Sequence, residues 1–184
     1  MNINDDWFFY ENNINTDNII TVINKEIKNL NSLNKKDLSI KGKQCEQFLL
    51  FELFKTNKKL IQFKENFILN LKKHFKNQFN KDCNFNLLNA WTVIGHKGTY
   101  HTPHQHCLDR NNHIACVIYL KVPKQIKNNP SKLYFFYYRN NKINYDEINP
   151  KENMMCFFPA NMFHGTTLQE NGLRQTLNID FSYE

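Results

Sequence analysis

The sequence predicts an α+β fold, with helices leading into a curled antiparallel sheet, and two observations point to it. Before Asn80, apolar residues recur every three or four positions over long stretches, which is the period of an amphipathic helix. After Asn80 the apolar runs become short, β-branched or aromatic, and Gly, Pro and Asn separate them. Helices followed by several short strands pack as one layer of helices on a sheet. The 184 residues fit a single domain, in which 1–80 form helical support and 81–184 hold the main strands.

Taken in order, Thr16 or Asp17 can cap a first helix whose Ile20, Ile23, Ile27 and Leu30 fall on one side, with Ile19 beside them. The segment from Cys45 to Phe54 fits a strand or a short helix. From about Asn57 to Phe79 the pattern predicts a longer helix, with Leu60, Phe63, Phe67, Leu71, Phe75 and Phe79 as its apolar stripe. Strands are expected at Phe85 to Ile94, His113 to Val122, Lys132 to Arg139, Met154 to Phe158 and Leu173 to Phe181. In the last of these, Leu173, Gln175, Leu177, Ile179 and Phe181 share one face, and Arg174, Thr176, Asn178 and Asp180 share the other. The first face suits a core. The second could line a cofactor pocket inside a closed sheet or form a solvated strand face.

Composition limits the function classes. The formal charge is +7, and eight lysines face one glutamate between Lys55 and Lys81. These lysines alternate with the apolar stripe of the long helix, so they read as its wet face, with nucleic acid as a weaker alternative. Cys45, Cys83, Cys107, Cys116 and Cys156 form no CxxC pair and are odd in number, which fits reduced thiols in a cytoplasmic protein. No stretch is long and apolar enough for a membrane span, and no basic region leads into a signal-like run.

The chemistry concentrates in histidines. His104 and His106 are two apart, so on an extended segment both side chains project the same way and can reach one ion. Pro103 disfavours helix at Thr102, and Gly98 permits a turn before the pair. His164, between Pro159 and Gly165, can supply a third imidazole from another strand end. His96, His101 and His113 lie in the same part of the sequence, so a chance cluster competes with a metal site. Arg174 could hold a carboxylate through paired charged hydrogen bonds.

Ala90-Trp91, Gly98, Tyr100, Pro103-His104-Gln105-His106, the run Val117 to Pro123, Phe157-Phe158-Pro159, His164 and Arg174 together resemble the 2-oxoglutarate and iron(II)-dependent oxygenase superfamily. The similarity is to its group of small oxygenases with an HxH and a distal histidine, and it covers about half of the chain. It implies a double-stranded β-helix, the jelly-roll core also seen in cupins. It also implies Fe(II) held by His104, His106 and His164, with 2-oxoglutarate and dioxygen as cosubstrates and Arg174 on the far carboxylate. Tyr119, Thr176 and Asn178 are further candidates for contacts to 2-oxoglutarate. The superfamily usually has a carboxylate where His106 stands. Three readings follow: a three-histidine site, a site completed by Asp109, or a site without redox function.

The implied activity is hydroxylation of a small-molecule or peptide substrate, coupled to decarboxylation of 2-oxoglutarate to succinate. A three-histidine dioxygenase independent of 2-oxoglutarate is the enzyme alternative. A noncatalytic barrel that binds metal or nucleic acid is the third. Around the site, Trp91 reads as core, Arg139 as a strand end or substrate contact, and Cys107 and Cys116 as buried thiols near the metal. No pattern in the sequence specifies an oligomeric state.

Overall fold

The helical period before Asn80 folds as expected in a computed structural model, which describes residues 9–11, 14–30, 43–106, 112–123 and 131–184. Helix α1 (Asp17–Glu26) follows Thr16 and buries Ile19 and Ile23. Thr16 makes no side-chain cap bond, because its Oγ1 donates to Asn153 Oδ1 at 2.6 Å and ties α1 to a distant turn. Leu30 lies past this helix and is exposed. The ambiguous segment from Cys45 to Phe54 contains both structures: strand β3 (Glu46–Leu49) comes first, and helix α2 (Leu53–Thr56) starts just after it.

Helix α3 (Lys58–Phe79) is capped by Asn57, whose side chain accepts the backbone N–H groups of Lys59 and Leu60. It ends where Asn80 turns left-handed at φ 52°. Leu60, Phe67, Leu71 and Phe75 are buried along one stripe, with Phe63 and Phe79 partly buried beside them. Lys58, Lys59, Lys73 and Lys76 point to solvent, as the wet face of this helix should.

Eleven strands are found among the described residues: β1 (Phe9–Glu11), β2 (Lys43–Gln44), β3, β4 (Phe85–Gly95), β5 (Thr99–His104), β6 (His113–Lys121), β7 (Leu133–Arg139), β8 (Lys142–Ile148), β9 (Met155–Pro159), β10 (Phe163–Thr166) and β11 (Arg174–Tyr183). The five expected strands are β4, β6, β7, β9 and β11, with nearly the expected ends. The residues before 80 also add β1, β2 and β3 to the sheet edges. One sheet runs β1-β9-β6-β11-β4-β3 and the other β2-β5-β10-β7-β8.

These two sheets and the helices make three layers. The helices pack on the six-stranded sheet, against Ile114, Cys116, Ile118, Leu177, Ile179 and Phe181. The opposite face of that sheet, with Ala115, Val117 and Tyr119 of β6, meets Leu133 and Phe135 of the five-stranded sheet. Strand β6 is therefore buried on both faces, which is why it reads as a continuous apolar run. This is the jelly-roll, double-stranded β-helix arrangement with N-terminal helices on one side.

Candidate metal and cosubstrate site

Strand pairing brings the histidines together. His104 ends β5 directly opposite His164 on β10, so the two rings meet across the ladder with centroids 4.3 Å apart. Gly165 keeps these strands close, since a Cβ there would lie 2.9 Å from the His101 carbonyl oxygen. His106 follows two residues after His104, and its backbone N–H donates to Ala160 O at 2.7 Å. Its ring lies 4.8 Å from that of His164 and edge-on to Trp91 at 5.1 Å.

Each ring has its Nδ1 engaged. His104 Nδ1 donates to Thr102 O at 2.8 Å, His164 Nδ1 to Met162 O at 3.0 Å, and His106 Nδ1 to Asp180 Oδ1 at 2.8 Å. Hydrogen bonds of this kind set the tautomer and leave Nε2 as the ligand atom. The candidate ligand atoms of the three histidines all lie within 4.8 Å of one another. The Nε2 atoms of His104 and His106 are 3.2 Å apart. Two nitrogens each about 2.1 Å from one ion, at a right angle, would sit about 3 Å apart, so the spacing fits a shared cation.

Electrostatics favour neutral rings at His104 and His164. Burial holds the His164 pKa well below the ordinary imidazole value, and the neighbouring His106 and His104 push it the same way. Burial also lowers that of His104, against the opposing pull of its bond to Thr102. A neutral imidazole is the form that binds a metal. His101 adds a fourth ring 4.3 Å from His104. Burial, then His104 and Arg174, lowers its pKa to about 3, and Gln47 Nε2 donates to its Nε2 at 2.9 Å.

A cavity opens beside these rings, lined by Tyr119, Arg174, Thr176, Asn178 and Trp91 among others. Arg174 is almost fully buried, yet it meets no carboxylate among the described residues. Its Nη1 donates to Ser131 Oγ at 2.8 Å and its Nη2 to Cys45 Sγ at 3.5 Å, while Nε has no partner. The Tyr119 hydroxyl is also buried without a partner, and burial raises its pKa, so it remains a donor. A buried cation and a buried donor, both short of acceptors, fit an anionic ligand.

A family model described as "Putative 2OG-Fe(II) oxygenase" matches residues 89–180, half of the chain. The chain belongs to this 2OG-Fe(II) oxygenase family. The span matched includes all three histidines and Arg174. Among curated proteins nothing matches the chain.

Solved structures share the oxygenase's fold. The viral collagen prolyl hydroxylase from Paramecium bursaria Chlorella virus-1, in its 2OG complex, is 18% identical, with 96% of each chain covered and a TM-score of 0.59. A Pseudomonas putida prolyl-4-hydroxylase is 11% identical, over 95% of this chain and 91% of its own, with a TM-score of 0.62. The non-haem α-ketoglutarate-dependent epimerase SnoN from nogalamycin biosynthesis is 9% identical, over 97% and 79%, with a TM-score of 0.70.

The oxygenase therefore gathers His104, His106, His164, Arg174, Tyr119, Thr176 and Asn178 around one cavity. Trp91 departs from the core reading: it is half-buried and lines that cavity. Cys116 faces the helices, on the other side of the sheet from the histidine cluster, and burial raises its thiol pKa strongly. Cys107, Asp109 and the Arg139 side chain lie outside the described residues. The sequence pattern assigns no role to His101 or Ser131, and places Asp180 only on the polar face of the last strand. For Asp180 a signal existed, because it continues the alternating row that starts at Arg174.

Proposed function

We propose that this oxygenase binds Fe(II) through His104, His106 and His164 and the distal carboxylate of 2-oxoglutarate through Arg174. The observation that carries the cosubstrate half is the buried Arg174 guanidinium with no carboxylate partner and an open Nε. Tyr119 stands across the ladder from Thr176 and can add its phenolic hydrogen to the same carboxylate. When bound, iron and 2-oxoglutarate would supply, with dioxygen as the oxidant, oxidative decarboxylation to succinate and carbon dioxide, one oxygen atom going to succinate and the other to a substrate C–H. The chain's part is orientation. Carbonyl and carboxylate acceptors hold the three rings.

A small-molecule or peptide substrate is the class this reading favours, in line with the prolyl hydroxylases and the epimerase whose fold the chain shares. Nucleic acid loses its support, since the lysines of α3 belong to the layer on the other face of the six-stranded sheet from the cavity. Among the described residues no helix is long and apolar enough to cross a membrane. A dioxygenase that ignores 2-oxoglutarate would have no use for an unpaired guanidinium beside its metal.

The test is anaerobic titration of wild type, Arg174→Ala and His164→Ala with iron(II) and 2-oxoglutarate. Arg174→Ala should weaken 2-oxoglutarate about 10- to 100-fold, the value of a charged hydrogen-bond pair, and spare most iron binding. His164→Ala should impair both. Unchanged 2-oxoglutarate affinity in folded Arg174→Ala defeats the cosubstrate role. Turnover of a substrate without 2-oxoglutarate defeats the wider reading.

A further inference from the structure

The three histidines differ in what holds them. His104 and His164 donate Nδ1–H to backbone carbonyls only two residues away, those of Thr102 and Met162. His106 donates instead to the carboxylate of Asp180, which is 74 residues away in sequence and comes from β11. A carbonyl can orient a ring, but a carboxylate also gives it negative charge.

The pair is shielded from solvent. The side chains of His106 and Asp180 are 10% and 14% exposed, so the charge acts at short range and is weakly screened. Asp180 ends the cavity-facing row of Arg174, Thr176 and Asn178, and the β4 register shifts just after it, between Asp180 and Phe181. Register shifts of this kind aim side chains next to functional sites. Strand β11 thereby places a cation at one end of the cavity row and an anion at the other.

Three neutral imidazoles bring a divalent ion no charge. We infer that Asp180 is a positioning residue of the metal centre, fixing His106 as the Nδ1–H tautomer and supplying through that ring the negative charge that none of the three ligands has. Removing an outer partner of this type typically costs a histidine site about 10- to 100-fold in metal affinity. The inference rests on the three-histidine reading and assigns Asp180 no contact with the ion.

The test uses metal-free full-length protein titrated with cobalt(II) by calorimetry. Asp180→Asn keeps an oxygen acceptor for Nδ1–H but removes the charge. It should weaken cobalt(II) by about tenfold, and Asp180→Ala by up to about a hundredfold. Asp180→Glu should recover part of the loss. In a His106→Ala background Asp180→Asn should cost nothing further, because the effect passes through that ring. An unchanged affinity in Asp180→Asn overturns the inference, and so does an equal loss with and without His106.

His164→Ala separates this from failure of the triad itself. If His164→Ala binds cobalt(II) as wild type does, the three-histidine reading falls. If it loses binding while Asp180→Asn does not, Asp180 alone falls. A readout on the zinc(II)-loaded wild type avoids any variant that fails to fold: the Nδ1 proton of His106 should resonate downfield of those of His104 and His164, since its acceptor is a carboxylate. A His106 ring protonated at Nε2 alone would also overturn the inference.

Discussion

On the helix side of β11, Leu177, Ile179 and Phe181 are fully buried against apolar neighbours. One residue away along the same strand, Arg174, Thr176 and Asn178 are almost as buried but turn polar groups into a cavity. Period-2 geometry lets one segment serve both faces. Burial alone therefore does not separate core from site. What separates them is satisfaction: the helix side is closed by packing, while the cavity side keeps an unpartnered Arg174 Nε and Tyr119 hydroxyl. Unpaired buried polar groups cost stability, and a protein retains them where a ligand completes them.

Breaking the helix side should give the largest effect on folding. Phe181 is stacked on Phe67 of α3, with centroids 5.6 Å apart and planes 13° from parallel. Phe181→Ala should destabilise the protein by about 3–5 kcal/mol, the cost of removing a buried aromatic ring. Denaturant unfolding of the metal-free protein would measure it. The loss should be the same with and without 2-oxoglutarate at the site, because the ring faces away from the cavity. A loss under about 1 kcal/mol would show that the helix layer is not closed by packing.

The two sides were unequally legible in the sequence for the same reason. The stripe from Leu60 to Phe79 and the five apolar strands announce themselves by period, since packing demands it. His104, His106, His164 and Arg174 were legible through their spacing and their resemblance to the oxygenase pattern. Strand β8 is polar and lies at a sheet edge, and its signal was the turn Asn140-Asn141, both at positive φ between the paired Arg139 and Lys142. Strand β10 is four residues with a glycine, too short for a period. The contact between Asp180 and His106 joins two segments through the folded sheets, and no local spacing encodes it.

An intermediate effect should come from acid acting on the buried His101 of the cavity side. His101, with a folded pKa near 3 against an ordinary imidazole value of 6.5, binds fewer protons folded than unfolded. The sign follows: stability is full above pH 6.5 and falls as pH drops from there toward 3, because the unfolded chain takes up the proton. Each histidine of this kind contributes a slope of up to about 1.4 kcal/mol per pH unit. Melting of the metal-free protein should fall between pH 7 and 5, and His101→Gln should flatten that fall. Equal slopes in the two proteins would show that the His101 ring is not held neutral by the fold.

Tyr119→Phe should give the smallest effect and the sharpest comparison. It removes one oxygen from the cavity side of β6, while Ile118 and Leu120 continue to face the helices. The hydroxyl has no partner without a ligand, so its loss should leave stability unchanged or slightly raised in the metal-free protein. With the cosubstrate present the sign reverses. If the hydroxyl donates to the carboxylate held by Arg174, Tyr119→Phe should weaken 2-oxoglutarate by about three- to tenfold, roughly one hydrogen bond of 0.5–1.5 kcal/mol. Melting curves with and without 2-oxoglutarate would read both halves in one experiment. A drop in metal-free stability would mean that the hydroxyl is part of the closed core, and unchanged 2-oxoglutarate affinity would leave Arg174 to hold the carboxylate without it.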